Sequence, residues 1–149
     1  MYTGLLHLHN LLRWVILIFL VISIVQSISA KSGKPAAGLK KTSLFLLIST
    51  HITFLIGLYQ YFAGPSGFKI FQAYSMGEIM KNSALRFWAV EHITGMLIAI
   101  ILITIGRGKV KKTQYSSATW LFIIALILIL ATVPWPFREG IGRTLFPGL

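Results

Sequence analysis

The sequence predicts an all-α polytopic membrane protein, with four transmembrane helices arranged as an up-down bundle. Its mean hydropathy of +0.79 and its hydrophobic content of 56% are typical of membrane proteins. Four apolar segments of about 20 residues are each long enough to cross a bilayer. Because the connectors between them are short, we expect neighbouring helices to be antiparallel within a single domain over residues 1–149.

The first segment covers residues 5–30, and the second covers residues 42–62. In the first, several side chains follow helical spacing and share one face, which we expect to be turned toward protein: His9, Arg13, Ile16, Leu20, Ser23 and Ser27. The second segment carries His51 near its middle, among small and hydroxyl-bearing residues that allow close helix packing. Both segments are therefore predicted to contribute polar groups to the bundle interior.

The third segment covers residues 85–105 and the fourth covers residues 115–133, after a longer connector whose residues 75–84 are predicted to form an interfacial amphipathic helix. Glu91 and His92 lie inside the third span, where ionisable groups are costly and usually mark a site or a partner. Gly95 follows one turn after His92 on the same helix face. Because glycine has no side chain, we expect room beside His92 for a flat group.

The charge distribution predicts orientation. The net charge is +11, and the connectors at residues 31–41 and 106–112 each carry four Lys or Arg and no acid. By the positive-inside rule these connectors are cytoplasmic, and both termini are non-cytoplasmic. Since no soluble basic face remains, nucleic-acid binding is excluded, and the absence of cysteine excludes disulfides and thiolate metal sites. The expected partners are the lipid bilayer and either other inner-membrane subunits or a second copy.

Three histidines, His9, His51 and His92, lie on three helices at comparable depth, judged from a rise of about 1.5 Å per residue. Haem takes one or two axial imidazoles in an apolar pocket, and helix bundles build such sites from facing helices. We expect His51 and His92 to be the axial ligands, with His9 as the chief substitute. Arg13 and Arg86, at the outer helix ends, are expected to contact the haem propionates.

Two alternatives stay open. One is a zinc, iron or copper site, whose ligand set is His9, His51, His92 and Glu91. Glu91 could instead form an ion pair with Arg13 or Arg86 that neutralises a buried charge. The other alternative is a non-catalytic structural or accessory subunit of a larger complex, in which the histidines only make hydrogen bonds between helices. No motif identifies a catalytic residue, so the sequence leaves open whether the protein is an enzyme.

Several motifs together resemble the short four-helix inner-membrane proteins of Bacteroidota that are labelled cytochrome b-like: Leu8-His9-Asn10-Leu11-Leu12-Arg13-Trp14, His51, Arg86-Phe87, Glu91-His92 and Gly95-Met96. The resemblance covers the whole chain. A fainter similarity extends to one half of haem A synthase and to cytochrome b561-type bundles, in which histidines on neighbouring helices ligate haem. The resemblance implies a multi-pass protein of the bacterial inner membrane that binds haem b, as an electron-transfer subunit or a haem-handling accessory. Because the fourth segment has no histidine, we expect one haem.

Overall fold

A computed structural model of the chain describes residues 1–146, and over this range the structure is helical and has no strands. The long helices are α1 (Tyr2–Ser29), α2 (Ala37–Ala63), α5 (Ser83–Lys111) and α6 (Tyr115–Thr132). Two short helices, α3 (Phe68–Ala73) and α4 (Met76–Lys81), lie between α2 and α5. The four long helices are long and apolar enough to cross a membrane, which confirms the all-α class and the number of candidate spans.

The long helices extend beyond the apolar segments from which they were predicted. Helix α2 begins at Ala37, so Lys40 and Lys41 lie inside its first turns, and α5 continues through residues 106–111. Hydropathy marks the apolar stretch alone, whereas lysine and arginine are good helix formers that let the helix continue past it. The basic connector after α5 is consequently only a short turn, in which Thr113 has a φ of 58°.

The long helices form a closed ring, in which each packs against the next in the chain and α6 packs against α1. The predicted inward face of α1 is confirmed, because Arg13, Ile16, Leu20, Ser23 and Ser27 are all buried. Each connector joins two neighbouring long helices, as in an up-down bundle of antiparallel neighbours.

Most of the apolar core lies in the half of the bundle next to the two basic connectors. Leu20, Leu46, Ile103 and Phe122 are fully buried there, one from each long helix. Gly106 lies against the Phe122 ring so closely that a Cβ atom at Gly106 would be 2.6 Å from a ring carbon. This half of the bundle is therefore tightly packed, and the space described below lies in the opposite half.

Helix α4 occupies part of the predicted interfacial helix, and α3 was not predicted. At the start of α4 the Ser75 hydroxyl accepts a hydrogen bond from the Glu78 N–H at 3.4 Å, and the Glu78 carboxylate accepts one from the Ser75 N–H at 2.8 Å. This capping box satisfies donors that the helix itself cannot. Among the apolar residues of α4, Ile79 is fully buried, whereas Met76 and Met80 are exposed.

The capping box predicts that α4 loosens in acid. The hydroxyl of Ser75, helped by its N–H, lowers the pKa of Glu78 below its usual value, so Glu78 stabilises the folded form at neutral pH and loses this effect as pH falls through its lowered pKa. We expect amide protection in α4, corrected for intrinsic exchange, to fall between about pH 7 and about pH 3. Hydrogen exchange measures this. Glu78→Gln should remove the pH dependence, and equal protection of wild-type α4 at both pH values would contradict the prediction.

Candidate functional site

A cavity of about 240 Å³ lies in the half of the bundle that contains both ends of the described chain. It is bounded by the first half of α1, the second half of α2, the first half of α5 and the end of α6. Its walls include the apolar side chains of Phe54, Met96 and Ile100. Because the opposite half of the bundle is filled by the core, the cavity does not continue as a path through the bundle.

His92 enters the cavity from α5, directly after a π-helical turn at Phe87–Glu91. In this turn the His92 N–H donates to the carbonyl of Phe87, five residues earlier. Turns of this kind are rare and occur often at functional sites. The His92 ring lies against the rings of Phe87 and Trp88, at centroid distances of 5.7 and 5.9 Å. The residue sequence of this turn contains neither proline nor glycine, so nothing in it signalled the irregularity.

A hydrogen bond to α6 fixes the orientation of His92. Its Nδ1 lies 2.7 Å from the carbonyl oxygen of Thr132. This carbonyl belongs to the last residue of α6, where helix carbonyls have no partner within the helix. A carbonyl oxygen can only accept, so Nδ1 must carry the proton, and in the neutral ring Nε2 is then unprotonated and able to act as a ligand.

Gly95 has a different role from the one the sequence suggested. The space that a side chain would take at Gly95 is filled by the side chain of Thr132. The expectation that Gly95 leaves room for a flat group beside His92 is therefore wrong. Instead, the missing side chain lets α6 come close to α5 and brings the Thr132 carbonyl within reach of His92.

His9 enters the same cavity from α1. The centroids of the His9 and His92 rings are 6.4 Å apart, and the ring planes are inclined at 62°. The ring of His9 rests on Gly57 of α2, where a Cβ atom would lie 3.0 Å from the His9 Cε1. Its Nδ1 is buried and has no hydrogen-bond partner within residues 1–146; the Thr53 carbonyl lies nearby without forming a bond of normal geometry.

Arg13 is buried one turn after His9 and lines the cavity. Its Nη2 donates to the carbonyl of Leu145 at 2.8 Å, and its Cζ lies 5.3 Å and 5.7 Å from the ring centres of Trp14 and Trp135. Its Nε is buried and finds no acceptor in the part of the chain that the structure describes. Arg13 therefore keeps one donor unused beside the cavity.

Two further donor groups of the cavity were not singled out from the sequence, Gln60 and Arg143. The Gln60 Nε2 is buried without a hydrogen-bond partner among the described residues, and the Arg143 Cζ lies 4.8 Å from the ring centre of Trp88. Of the lining residues described, none is Asp or Glu. A buried donor without a partner is costly, so the cavity suits a ligand with an apolar body and negatively charged or hydrogen-bond-accepting groups.

The segment after α6 folds back over the N-terminal part of α1 and brings Arg143 to the cavity. Two tail carbonyls are held by α1: Asn10 Nδ2 donates to Thr144 at 3.1 Å, and Trp14 Nε1 donates to Leu145 at 2.9 Å. Sequence patterning could not predict this, because the tail has no periodicity and its contacts span more than 130 residues.

The structure does not bring His51 to the cavity. Its side chain is exposed, and its Nδ1 lies 2.8 Å from the carbonyl of Leu47, one turn earlier in the same helix. The face of α2 that lines the cavity carries Thr50, Thr53 and Gly57 instead. The expected pairing of His51 with His92 rested on similar depth along the helices, and depth does not determine which face of a helix a residue occupies.

Arg86 and Glu91 pair with each other outside the cavity. The Arg86 Nε lies 2.6 Å from the Glu91 Oε1, and the Arg86 Nη1 donates to the carbonyl of Met80 at 2.7 Å. Glu91 thus has its alternative predicted role, and neither residue lines the cavity. Within residues 1–146, no three His, Asp or Glu side chains are close enough to hold a metal ion, so the four-residue metal set is not assembled.

Comparison of the chain with models of protein families, with curated proteins and with solved structures finds no match. The evidence for a function therefore comes from the cavity itself. The main features of the cavity are two histidines whose ring centroids lie 6.4 Å apart, unused donors, and two arginines without an acidic neighbour in the described lining.

Proposed function

We propose that the chain is a b-type haem protein of the bacterial inner membrane, in which His9 and His92 would hold the haem iron. The observation that carries this proposal is the 6.4 Å separation of the two rings across the cavity. Imidazoles on opposite sides of one metal ion have ring centres about 6 Å apart, because metal–nitrogen bonds are about 2.0–2.1 Å long and each nitrogen lies about 1 Å from its ring centre. The pair is therefore spaced for iron to lie between its rings.

The rest of the cavity supports the same cofactor. Haem has a flat apolar body with two carboxylates at one edge, and the cavity combines apolar walls with the cations Arg13 and Arg143. The unused donors Arg13 Nε and Gln60 Nε2 are each free to donate a hydrogen bond to a carboxylate oxygen of the cofactor. A ligating histidine usually donates its other ring N–H to a carbonyl or carboxylate, as His92 does to Thr132. The motif resemblance described above favours haem as well.

Each part of the site has a distinct task in this proposal. His9 and His92 would hold the iron, Arg13 and Arg143 would offset the charge of the propionates, and the apolar walls would keep water away. When bound, haem supplies one-electron redox chemistry, which suits an electron-transfer subunit or a haem-handling accessory. No catalytic residue is proposed.

The orientation proposed for the chain follows from its charges. Both basic connectors face the cytoplasm, so both termini and the cavity lie on the non-cytoplasmic side. The long helices face the lipid bilayer, and other inner-membrane subunits or a second copy complete the assembly.

An absorption spectrum of the full chain tests the proposal. Protein purified in mild detergent from haem-replete cells should show reduced-minus-oxidised b-type bands and about one haem per chain. The matched control is the double variant His9→Ala/His92→Ala, which should show no b-type bands and no bound haem. A folded wild-type protein that takes up no haem, even from added haemin, would overturn the proposal. Stoichiometric co-purifying subunits would then favour the accessory-subunit alternative, and a bound transition metal would favour the metal alternative.

A further inference from the structure

We infer that the two axial positions are unequal: His92 is the permanent ligand, and His9 is replaceable by a small neutral ligand of the carbon monoxide class. This inference rests on the proposed haem site and goes beyond it, because a site with two equally held histidines would exclude such ligands. The evidence is the difference in how the bundle holds the two rings.

His92 is held on several sides. Its Nδ1 donates to the Thr132 carbonyl at 2.7 Å, and its ring packs against Phe87 and Trp88. The close contact between Gly95 and Thr132 fixes α6 at this point, so the acceptor cannot withdraw without opening the packing of two helices. Moving His92 away from a bound iron would therefore break a partly buried hydrogen bond and disturb the helix contact.

His9 lacks the equivalent support. Its Nδ1 makes no hydrogen bond of normal geometry within the described chain, although the Thr53 carbonyl lies nearby, and the ring rests on Gly57. Losing such an outer hydrogen bond typically weakens metal binding by about 10–100-fold, because the bond both orients the ring and raises its basicity. His9 also lies only about two turns from the start of α1, in the part of the helix farthest from the packed core. It is therefore the ligand that can leave.

The exchange is balanced without any transfer of electrons or protons. The bond between iron and the His9 nitrogen breaks, and one bond between iron and the incoming neutral ligand forms. The freed imidazole stays neutral on its own side chain, and His92 stays bound opposite.

Carbon monoxide added to the reduced protein tests this inference. We expect the wild-type Soret band to shift on addition, with about one carbon monoxide bound per haem. His9→Ala should retain at least half of the haem and bind carbon monoxide at least about tenfold faster, because no internal ligand competes. His51→Ala, which changes an exposed histidine outside the cavity, should match the wild type in both measurements.

Two results would overturn the inference while leaving the haem site intact. One is a wild-type protein that holds haem but shows no spectral change with carbon monoxide. The other is a His9→Ala protein that loses its haem as completely as a His92→Ala protein. A wild-type protein without haem is a different result, since it removes the proposed function itself.

Discussion

Replacing His92 with alanine is expected to lower the haem content of the purified protein to less than about a tenth of the wild-type value. The matched variant His51→Ala should leave the haem content unchanged. Both residues are histidines on long helices at similar depth, but His92 lines the cavity and His51 is exposed with its Nδ1 next to the carbonyl of Leu47. The ratio of haem to protein, measured after identical purification, gives the answer.

The His92→Ala variant also loses a structural contact, so its folding must be tested separately. Without the imidazole, the Thr132 carbonyl loses its hydrogen bond, at a cost of about 1–3 kcal/mol for a buried acceptor. Helical content and size-exclusion elution should nevertheless stay close to the wild type, since most of the core lies in the other half of the bundle. Free imidazole should partly restore haem binding, because the deleted side chain leaves a space of its own size. A general folding defect would not respond to imidazole.

The opposite pattern would show that the face of α2 carrying His51, and not the face carrying Thr50 and Thr53, is turned toward the cofactor. If His51→Ala removed the haem and His92→Ala did not, the cavity between α1, α2 and α5 would not be the cofactor site. The sequence-based choice of His51 would then be the better one. Equal loss in both variants would support ligation by this histidine pair and would remove His9 from the site.

Composition and periodicity predicted the four candidate spans and the inward face of α1. The four candidate spans follow from long apolar segments, because a helix satisfies its own backbone groups along its whole length. The inward face of α1 follows from the 3.6-residue repeat, which places Arg13, Leu20 and Ser27 on one side. Both features are local properties of the chain, so the sequence was sufficient for them.

The arrangement of the site depends on how helices are rotated against each other, which local patterns do not encode. His51 and Thr50 are neighbours in sequence, yet only Thr50 lines the cavity. Gly95 was expected to leave room for a flat group, but the side chain of Thr132 fills that space. Arg143 reaches the cavity through a tail held by α1, a contact between opposite ends of the chain. A polar residue in a span therefore does not by itself reveal whether it belongs to a site, and its partners have to come from the packed structure.

Replacing Gly106 with alanine should destabilise the protein, whereas the same change at Gly108 should not. A Cβ atom at Gly106 would lie 2.6 Å from the ring of Phe122, which is fully buried and has no free direction in which to move. Overpacking of this kind costs about 1–3 kcal/mol. At Gly108, two residues later in α5, a Cβ atom would meet nothing within 4 Å, so the change should contribute up to about 1 kcal/mol through better helix propensity.

The two glycine variants should differ in apparent melting midpoint by roughly 2–12 °C in the same detergent, given about 2–4 °C per kcal/mol for a chain of this size. Both changes add one methyl group to the same turn of the same helix, so the difference between them isolates the effect of packing against Phe122. Gly106 lies in the packed half of the bundle, away from the cavity, so the folded fraction of Gly106→Ala should keep its full haem content. Equal midpoints would mean that α5 and α6 are not in close contact at Phe122. The same helix packing places His92 against Thr132, so that contact would then also be in error.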